Sequence, residues 1–301
     1  MPLWTDFNKD FGLQVKRRKK IRDVYQVFTT TGRTLCYKPY STGEDEVAFI
    51  RKLFVHLDDK GYRYAPKPVE GPGQKLWSFH RGQYWLLTNW VKGRSPNFTR
   101  ESELMKGLRT LAKFHRVAEG FTAEGIPNGR IRYDELYQRP GDYRSDIRRH
   151  GGSLDRFIDC CYKAEAFSQK PAIASAVEME RNAGAFSHGD YNYPNLVLDR
   201  SNHLHLIDLE NASMNVRMID LAHILYRNYP WNGRGVLKGI EEYDRKRPLS
   251  AEDRHLLYML LLLPYPLVRA MRQFGNQYLR HIELPSSSRL SGYKRTLRKL
   301  L

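Results

Sequence analysis

The spacing of apolar residues along this chain changes near residue 90, and the change divides its expected structure in two. Before that point, alternation dominates. Leu13–Ile21 (LQVKRRKKI) alternates in part, and Val24–Lys38 (VYQVFTTTGRTLCYK) has the form of a hairpin, with TTTGR as its turn and β-branched and aromatic residues on either side. Ser41–Gly61 (STGEDEVAFIRKLFVHLDDKG) follows helical spacing instead. Val47, Ile50, Phe54 and Leu57 share one face, Ser41 or Thr42 is placed to cap, acids fill the first turn and Gly61 ends it. Lys75–Arg81 (KLWSFHR) and Gln83–Val91 (QYWLLTNWV) are two further strand candidates, separated by Gly82. After Gly93 the period becomes helical. Arg100–Gly120 aligns Leu104, Leu108, Leu111, Ala112 and His115 on one stripe, and Ser153–Gln169, Pro171–Gly184 and the region around Ala251–Leu263 are also helical. The expected class is therefore α+β, with an antiparallel, strand-rich domain carrying one helix over residues 1–91 and a mainly helical domain over 92–301.

One stretch of the helical part breaks its own pattern. Phe186–Asn211 reads FSHGDYNYPNLVLDRSNHLHLIDLEN: a polar loop bearing Gly and Pro, a short strand LVLD, a turn RSN, and a second strand HLHLID alternating at Leu204, Leu206 and Asp208. Such a loop and hairpin would bring Asp190 and Asn195 next to Asp208. Oxygen ligands of this kind suit Mg²⁺, a hard cation usually held by one or two carboxylates together with substrate phosphates. Phosphoryl transfer asks chiefly for positioning and charge neutralisation. A carboxylate shortly before an Asn, with a second Asp beyond a hairpin, is the layout of a kinase catalytic loop.

The motifs HGDYNYPN, LIDLE and IDLA resemble those of the aminoglycoside phosphotransferase and choline kinase-like superfamily, whose loop reads HGDxxxxN followed by an I-D-x-[DE] strand. Within it, VYQVFTTTGRTLCYKP, YWLLTNWVKGR, LAKFH and IDLENASMNVRMIDLAHIL are most similar to bacterial spore coat kinase-like proteins of the CotS type; the likeness runs from about Gly12 to Leu262. The resemblance implies a protein kinase-like two-lobe fold, with a small antiparallel-sheet N-lobe, a larger helical C-lobe, and Asp190, Asn195 and Asp208 in the cleft between them. It also implies an ATP- and Mg²⁺-dependent transfer to a hydroxyl of a small molecule, in a spore-coat-associated protein. Asp190 would then act on the acceptor hydroxyl, and Asn195 and Asp208 would hold the metal. Lys38 would contact the α- and β-phosphates and pair with Glu46. Thr88–Val91, with Asn89, Trp90 and Val91, would form the hinge that hydrogen-bonds adenine. His188 and Asp220 would support the catalytic loop.

Each residue has a plainer reading. Lys38 is one lysine of a basic protein, Glu46 competes with Glu44 and Asp45, and His115 on its apolar stripe reads as a core histidine. Two departures from the family pattern bear on activity. The turn after KRRKKI offers Arg22 and Asp23 where a glycine would admit a phosphate, and YNYP replaces the commoner Phe/Tyr-His-Pro-Gly. The alternative function is therefore a catalytically degenerate, kinase-fold coat structural protein.

Charge adds one constraint: 50 Lys and Arg against 33 Asp and Glu give a net charge of +17, which favours anionic partners such as nucleotides. Nucleic acid is not expected as a partner, because no binding motif accompanies the charge. Cys36, Cys160 and Cys161 have neither disulfide nor metal spacing and fit a cytoplasmic protein, with the spore coat as a further location and its proteins as further partners. The longest apolar run, Leu256–Pro264, falls short of the roughly 20 residues that span a bilayer, so it reads as a buried helix and no membrane partner is expected.

Overall fold

The computed structural model describes residues 3–122, 124–150 and 154–301. The chain forms two compact units. The first comprises residues up to Pro96, with Phe121–Arg130 and Tyr193–Asn211; the second comprises Asn97–Gly120, Ile131–Asn192 and Ala212–Leu301.

The first unit is built on a five-stranded antiparallel sheet. In chain order its strands are β1 (Val15–Ile21), β2 (Val24–Thr29), β3 (Thr34–Tyr40), β4 (Ser78–His80) and β5 (Gln83–Asn89), and in space they run β1-β2-β3-β5-β4. The hairpin expected around TTTGR is present, with Phe28 opposite Thr34. Period-2 alternation gives the sheet two different faces. Leu35, Tyr37, Trp85 and Leu87 turn to one side, where α1 (Leu3–Phe11) adds Phe7 and Phe11 to a buried cluster. Tyr37 stacks on Trp85 at 4.7 Å and meets Phe7 edge-on at 5.1 Å, arrangements favoured by the quadrupoles of the rings. Cys36, Lys38, Leu86 and Thr88 turn to the other side, paired across the strands as Cys36–Thr88 and Lys38–Leu86.

α1 was not among the expected elements, although Trp4, Phe7 and Phe11 repeat at a helical interval. α2 (Glu44–Asp59) buries Val47, Ile50, Phe54 and Leu57 as its pattern required, and Gly61 follows it with φ of 71°. Its cap differs from expectation. Gly43 occupies the N-cap without a side-chain bond, and the buried Thr42 hydroxyl has no partner, so neither Ser41 nor Thr42 caps. The acids Glu44, Asp45 and Glu46 in the first turn face the positive end of the helix dipole instead.

The second unit is helical: α3 (Glu101–Val117), α4 (Glu135–His150), α5 (Asp155–Ser168), α6 (Pro171–Asn182), α7 (Met218–Asn228), α8 (Gly233–Asp244), α9 (Ala251–Leu262), α10 (Tyr265–Phe274) and α11 (Ser287–Leu297). Ser153, where the third of the expected helices began, lies outside the described residues. The α3 stripe is buried in full, and α9 buries Leu256, Leu257 and Leu260–Leu262 behind a Ser250–Asp253 capping box. A buried ion pair stands between α6 and α7, where the Arg217 guanidinium donates to Glu180 at 2.6 Å and its backbone N–H donates to the same carboxylate at 2.8 Å. Among the described residues, no helix is long and apolar enough to cross a membrane. The expected α+β class, a small antiparallel-sheet unit and a larger helical one, is what the chain adopts.

Candidate active site

The face of the sheet opposite α1 borders a cavity of about 420 Å³ within the first unit. Lys38, Asn89, Trp90, Val91, Asn195 and Asp208 all line it. The late hairpin, Leu196–Leu198 paired with Leu204–Leu206, brings the last two there. The Asn195 carbonyl accepts from the Ile207 N–H at 2.9 Å, and Leu206 N–H donates to the Tyr64 carbonyl at 2.8 Å. The hairpin is also fastened to the segment that follows β5. Arg94 N–H donates to the Leu198 carbonyl at 3.0 Å, and Leu198 N–H donates back at 2.7 Å. The backbones come so close that a Cβ on Gly93 would collide with the Leu198 carbonyl oxygen. Gly93→Ala should therefore destabilise the protein by about 1–3 kcal/mol through overpacking. A thermal melt would show this as a lowered Tm.

The second hairpin strand ends at Leu206, so Asp208 does not continue the alternation expected of it. Its φ is 66°, a left-handed conformation that Asp tolerates, and its carboxylate accepts from the Glu210 N–H two residues on at 3.2 Å. That turn takes the carboxylate out of the strand and into the cavity. There Lys38 Nζ lies 2.6 Å from Asp208 and 2.8 Å from Glu210. Burial alone would lower the Lys38 pKa, but the two carboxylates outweigh it and hold the ammonium above its ordinary value. Cys36, on the same face, is pushed up to about 11 by burial and is a weakly reactive thiol.

The expected pairing of Lys38 with Glu46 is not formed. Glu46 pairs with the buried Arg130, which also donates to the Glu210 carbonyl at 2.6 Å. The guanidinium has several donors in a fixed fork and so can join α2 to the segment after the hairpin, which leaves the Lys38 ammonium to the side chains of Asp208 and Glu210. Glu46 is not among the residues lining the cavity. Sequence reasoning assigned no role to Arg130 or Glu210. Glu210 stands within LIDLE and was open to inspection, whereas Arg130 belongs to the short Phe121–Arg130 segment of the first unit and carries no local signal.

The hinge residues are also partly committed. Asn89 N–H donates to the Lys67 carbonyl at 3.0 Å and Trp90 N–H to the Thr34 carbonyl at 3.1 Å. Arg22 and Asp23 form a two-residue turn between β1 and β2 and line the cavity, with Arg22 at φ of 54°.

Asp190, His188 and Asp220 belong to the second unit. Here α7 organises the loop at both ends. Near its start, fully buried Asp220 accepts from the backbone N–H groups of His188 at 2.6 Å and Gly189 at 2.9 Å. Burial would raise the Asp220 pKa, but these donors and His115 hold it below the usual carboxylate range. Burial lowers the His115 pKa. It fits as a neutral ring, its Nε2–H directed at Asp220 at 3.3 Å and its Nδ1 accepting from the Tyr243 hydroxyl at 2.7 Å. It is a core histidine that also braces the loop. His188 is buried, and its Nδ1 accepts from the Asp190 N–H at 3.4 Å, a contact within the loop. Two turns along α7 from Asp220, Arg227 donates through both terminal nitrogens to Asp190 at 2.9 Å each. Arg227 was missed by sequence reasoning, although its offset from Asp220 places both on one face of a helix.

The family model for the phosphotransferase enzyme family matches residues 17–257. The chain belongs to that family. As a phosphotransferase-family protein it is similar to an aminoglycoside phosphotransferase from Alicyclobacillus acidocaldarius, with a TM-score of 0.76 and 17% identity over 97% of this chain and 94% of that one. It is also similar to spectinomycin phosphotransferase, solved with ADP and spectinomycin (TM-score 0.61, 15% identity, 99% and 96% covered). An amicoumacin kinase solved with AMP-PNP and Ca²⁺ follows (TM-score 0.58, 12% identity, 98% and 91% covered). At these identities the likeness is one of fold, and the fold is protein kinase-like.

Proposed function

We propose that the protein is an ATP- and Mg²⁺-dependent phosphotransferase that acts on a hydroxyl of a small molecule. The observation that carries this reading is the single cavity lined by Lys38, Asn89–Val91, Asn195 and Asp208, in a chain of the phosphotransferase family. The similar spectinomycin and amicoumacin enzymes were solved with adenine nucleotides, which supports a nucleotide here.

The donor set fits the metal. Asp208 and Asn195 offer hard oxygen atoms, Glu210 lies close by on Lys38, and among the described residues no group of three or more His, Cys, Asp or Glu side chains forms a cage. Mg²⁺ is commonly shared between a carboxylate or two and substrate phosphates, and such a site needs no cage. When bound, the ion would neutralise phosphate charge. Lys38 would hold the α- and β-phosphates, released from its carboxylate pairs as the nucleotide enters. The Val91 backbone would receive adenine, because the Asn89 and Trp90 N–H groups are already used. Asp190, held by Arg227 and by the His188–Gly189 backbone on Asp220, would orient the acceptor hydroxyl and take its proton.

A spore-coat association is part of the proposal and rests on the CotS-type sequence features alone. The Arg22–Asp23 turn, which lacks glycine, and the YNYP of the loop favour the alternative of a degenerate structural protein. A thermal-shift series separates the two. Mg·ATP at about 100 times its Kd stabilises by roughly 2.7 kcal/mol, enough to move Tm by several degrees. Lys38→Met should lose most of that shift. A wild-type protein whose Tm ignores millimolar Mg·ATP is not a kinase.

A further inference from the structure

The edge strand of the sheet carries unmatched charge. β1 (Val15–Ile21) lies at one end of the strand order and holds five exposed cations in succession, Lys16, Arg17, Arg18, Lys19 and Lys20. Strand alternation sends them to both faces, about 7 Å apart along each. β2 does not neutralise them. Its sequence VYQVFT holds no acid, and Arg18, Lys19 and Lys20 stand opposite Val27, Gln26 and Tyr25. Among the described residues, none of the five has a carboxylate partner. Two of them are nevertheless held in place by rings. Arg17 lies 4.2 Å over Phe28 and Arg18 lies 4.6 Å over Trp4 of α1, contacts that fix a guanidinium without cancelling its charge. The backbone is open as well. An edge strand turns alternate N–H and C=O groups away from its neighbour, and among the described residues 16–20 form no backbone bond beyond the β2 ladder.

These features select among occupants. A second copy of β1 would set like charges opposite each other, and the bulge at Lys16, where the register shifts between Val15 and Arg17, further spoils self-pairing. An anionic membrane would meet charge but no anchor, since among the described residues none of the large exposed apolar side chains lies on β1 or β2. A nucleic acid strand would satisfy the cations and leave the open N–H and C=O groups without a ladder. An acidic polypeptide in extended form answers both. Its backbone continues the ladder, and its carboxylates, repeating every second residue, face the cations. We propose that β1 is a docking strand for an acidic, extended segment of a partner protein, which adds to the five-stranded sheet at this edge. None of the five cations lines the active-site cavity, so docking does not depend on the phosphotransferase reading.

The test measures the fluorescence anisotropy of a labelled peptide that alternates Glu with Thr, titrated with the full chain. An equally charged peptide of alternating L and D residues, a single-stranded oligonucleotide and phosphatidylserine vesicles are the other probes. The all-L peptide should bind most tightly, should weaken as salt rises, and should slow hydrogen exchange at the β1 amides. Three exposed ion pairs together change affinity roughly 3–100-fold. Lys16→Gln, Lys19→Gln and Lys20→Gln combined should weaken binding by about that factor with Tm unchanged, and the three Lys→Arg substitutions should keep it. Equal binding of the mixed-chirality peptide, or β1 amides that exchange no more slowly, overturns the added strand. A preference for the oligonucleotide or the vesicles overturns the partner assigned. So does self-association that the Gln substitutions abolish, or no binding of the all-L peptide at low salt.

Discussion

Asp190→Ala should leave Mg·ATP affinity nearly unchanged while phosphoryl transfer falls by roughly 10²–10⁴, the usual contribution of a positioned general base. The expectation follows from the division of labour between residues. Lys38, Asn195 and Asp208 line the cavity of the sheet unit, whereas Asp190 is bound to Arg227 in the helical unit. The substitution also leaves the Arg227 guanidinium without its carboxylate. Asp190→Asn is the better control, since it keeps an acceptor for Arg227 and removes only the base. Calorimetry with Mg·ATP and a transfer assay on the same preparations would check both halves. Equal losses in binding and transfer would place Asp190 on the nucleotide instead.

Asp208→Ala should have the opposite profile. Its carboxylate is both the main candidate metal ligand and the closer partner of Lys38, at 2.6 Å against 2.8 Å for Glu210. Removing it should weaken nucleotide binding by roughly 10–100-fold in the presence of Mg²⁺, the range for a lost charge-assisted contact, and should remove the benefit of adding the ion. Asn195→Ala should cost less, because an amide oxygen brings no formal charge. Titrations with and without Mg²⁺ distinguish the outcomes, and an unchanged Mg²⁺ dependence in Asp208→Ala would show that this carboxylate is not a ligand.

What the sequence revealed, and what it concealed, follows from the range of each interaction. β3, β5 and α2 announce themselves because burial on one face imposes a local period, and that period separates Cys36 and Lys38 from Leu35 and Tyr37. α1 escaped notice because its apolar residues, Trp4, Phe7 and Phe11, are thinly spread over a short polar stretch whose burial depends on Tyr37 and Trp85 far along the chain. The His-Gly-Asp loop and the hairpin aspartate were legible as a motif. The partners of Lys38 were not, since they depend on Arg130, a residue without any local mark, reaching Glu46 and the Glu210 carbonyl. The left-handed turn at Asp208 likewise belongs to the tertiary structure. A strand pattern extends the alternation through residue 208, but the backbone reverses its sense there. Arg227 lies between these cases. Its place on the face of Asp220 is a local fact, but its meaning depends on where Asp190 ends up.

The cavity beside β3 and β5 should hold a metal-bound nucleotide. Co-crystallisation with AMP-PNP and Mn²⁺, with anomalous scattering to locate the metal, tests it most directly. The prediction is adenine against Val91, phosphates on Lys38, and an anomalous peak coordinated by the Asp208 carboxylate and the Asn195 amide oxygen. Nucleotide bound elsewhere, or bound in the cavity with the metal away from Asp208, would contradict it.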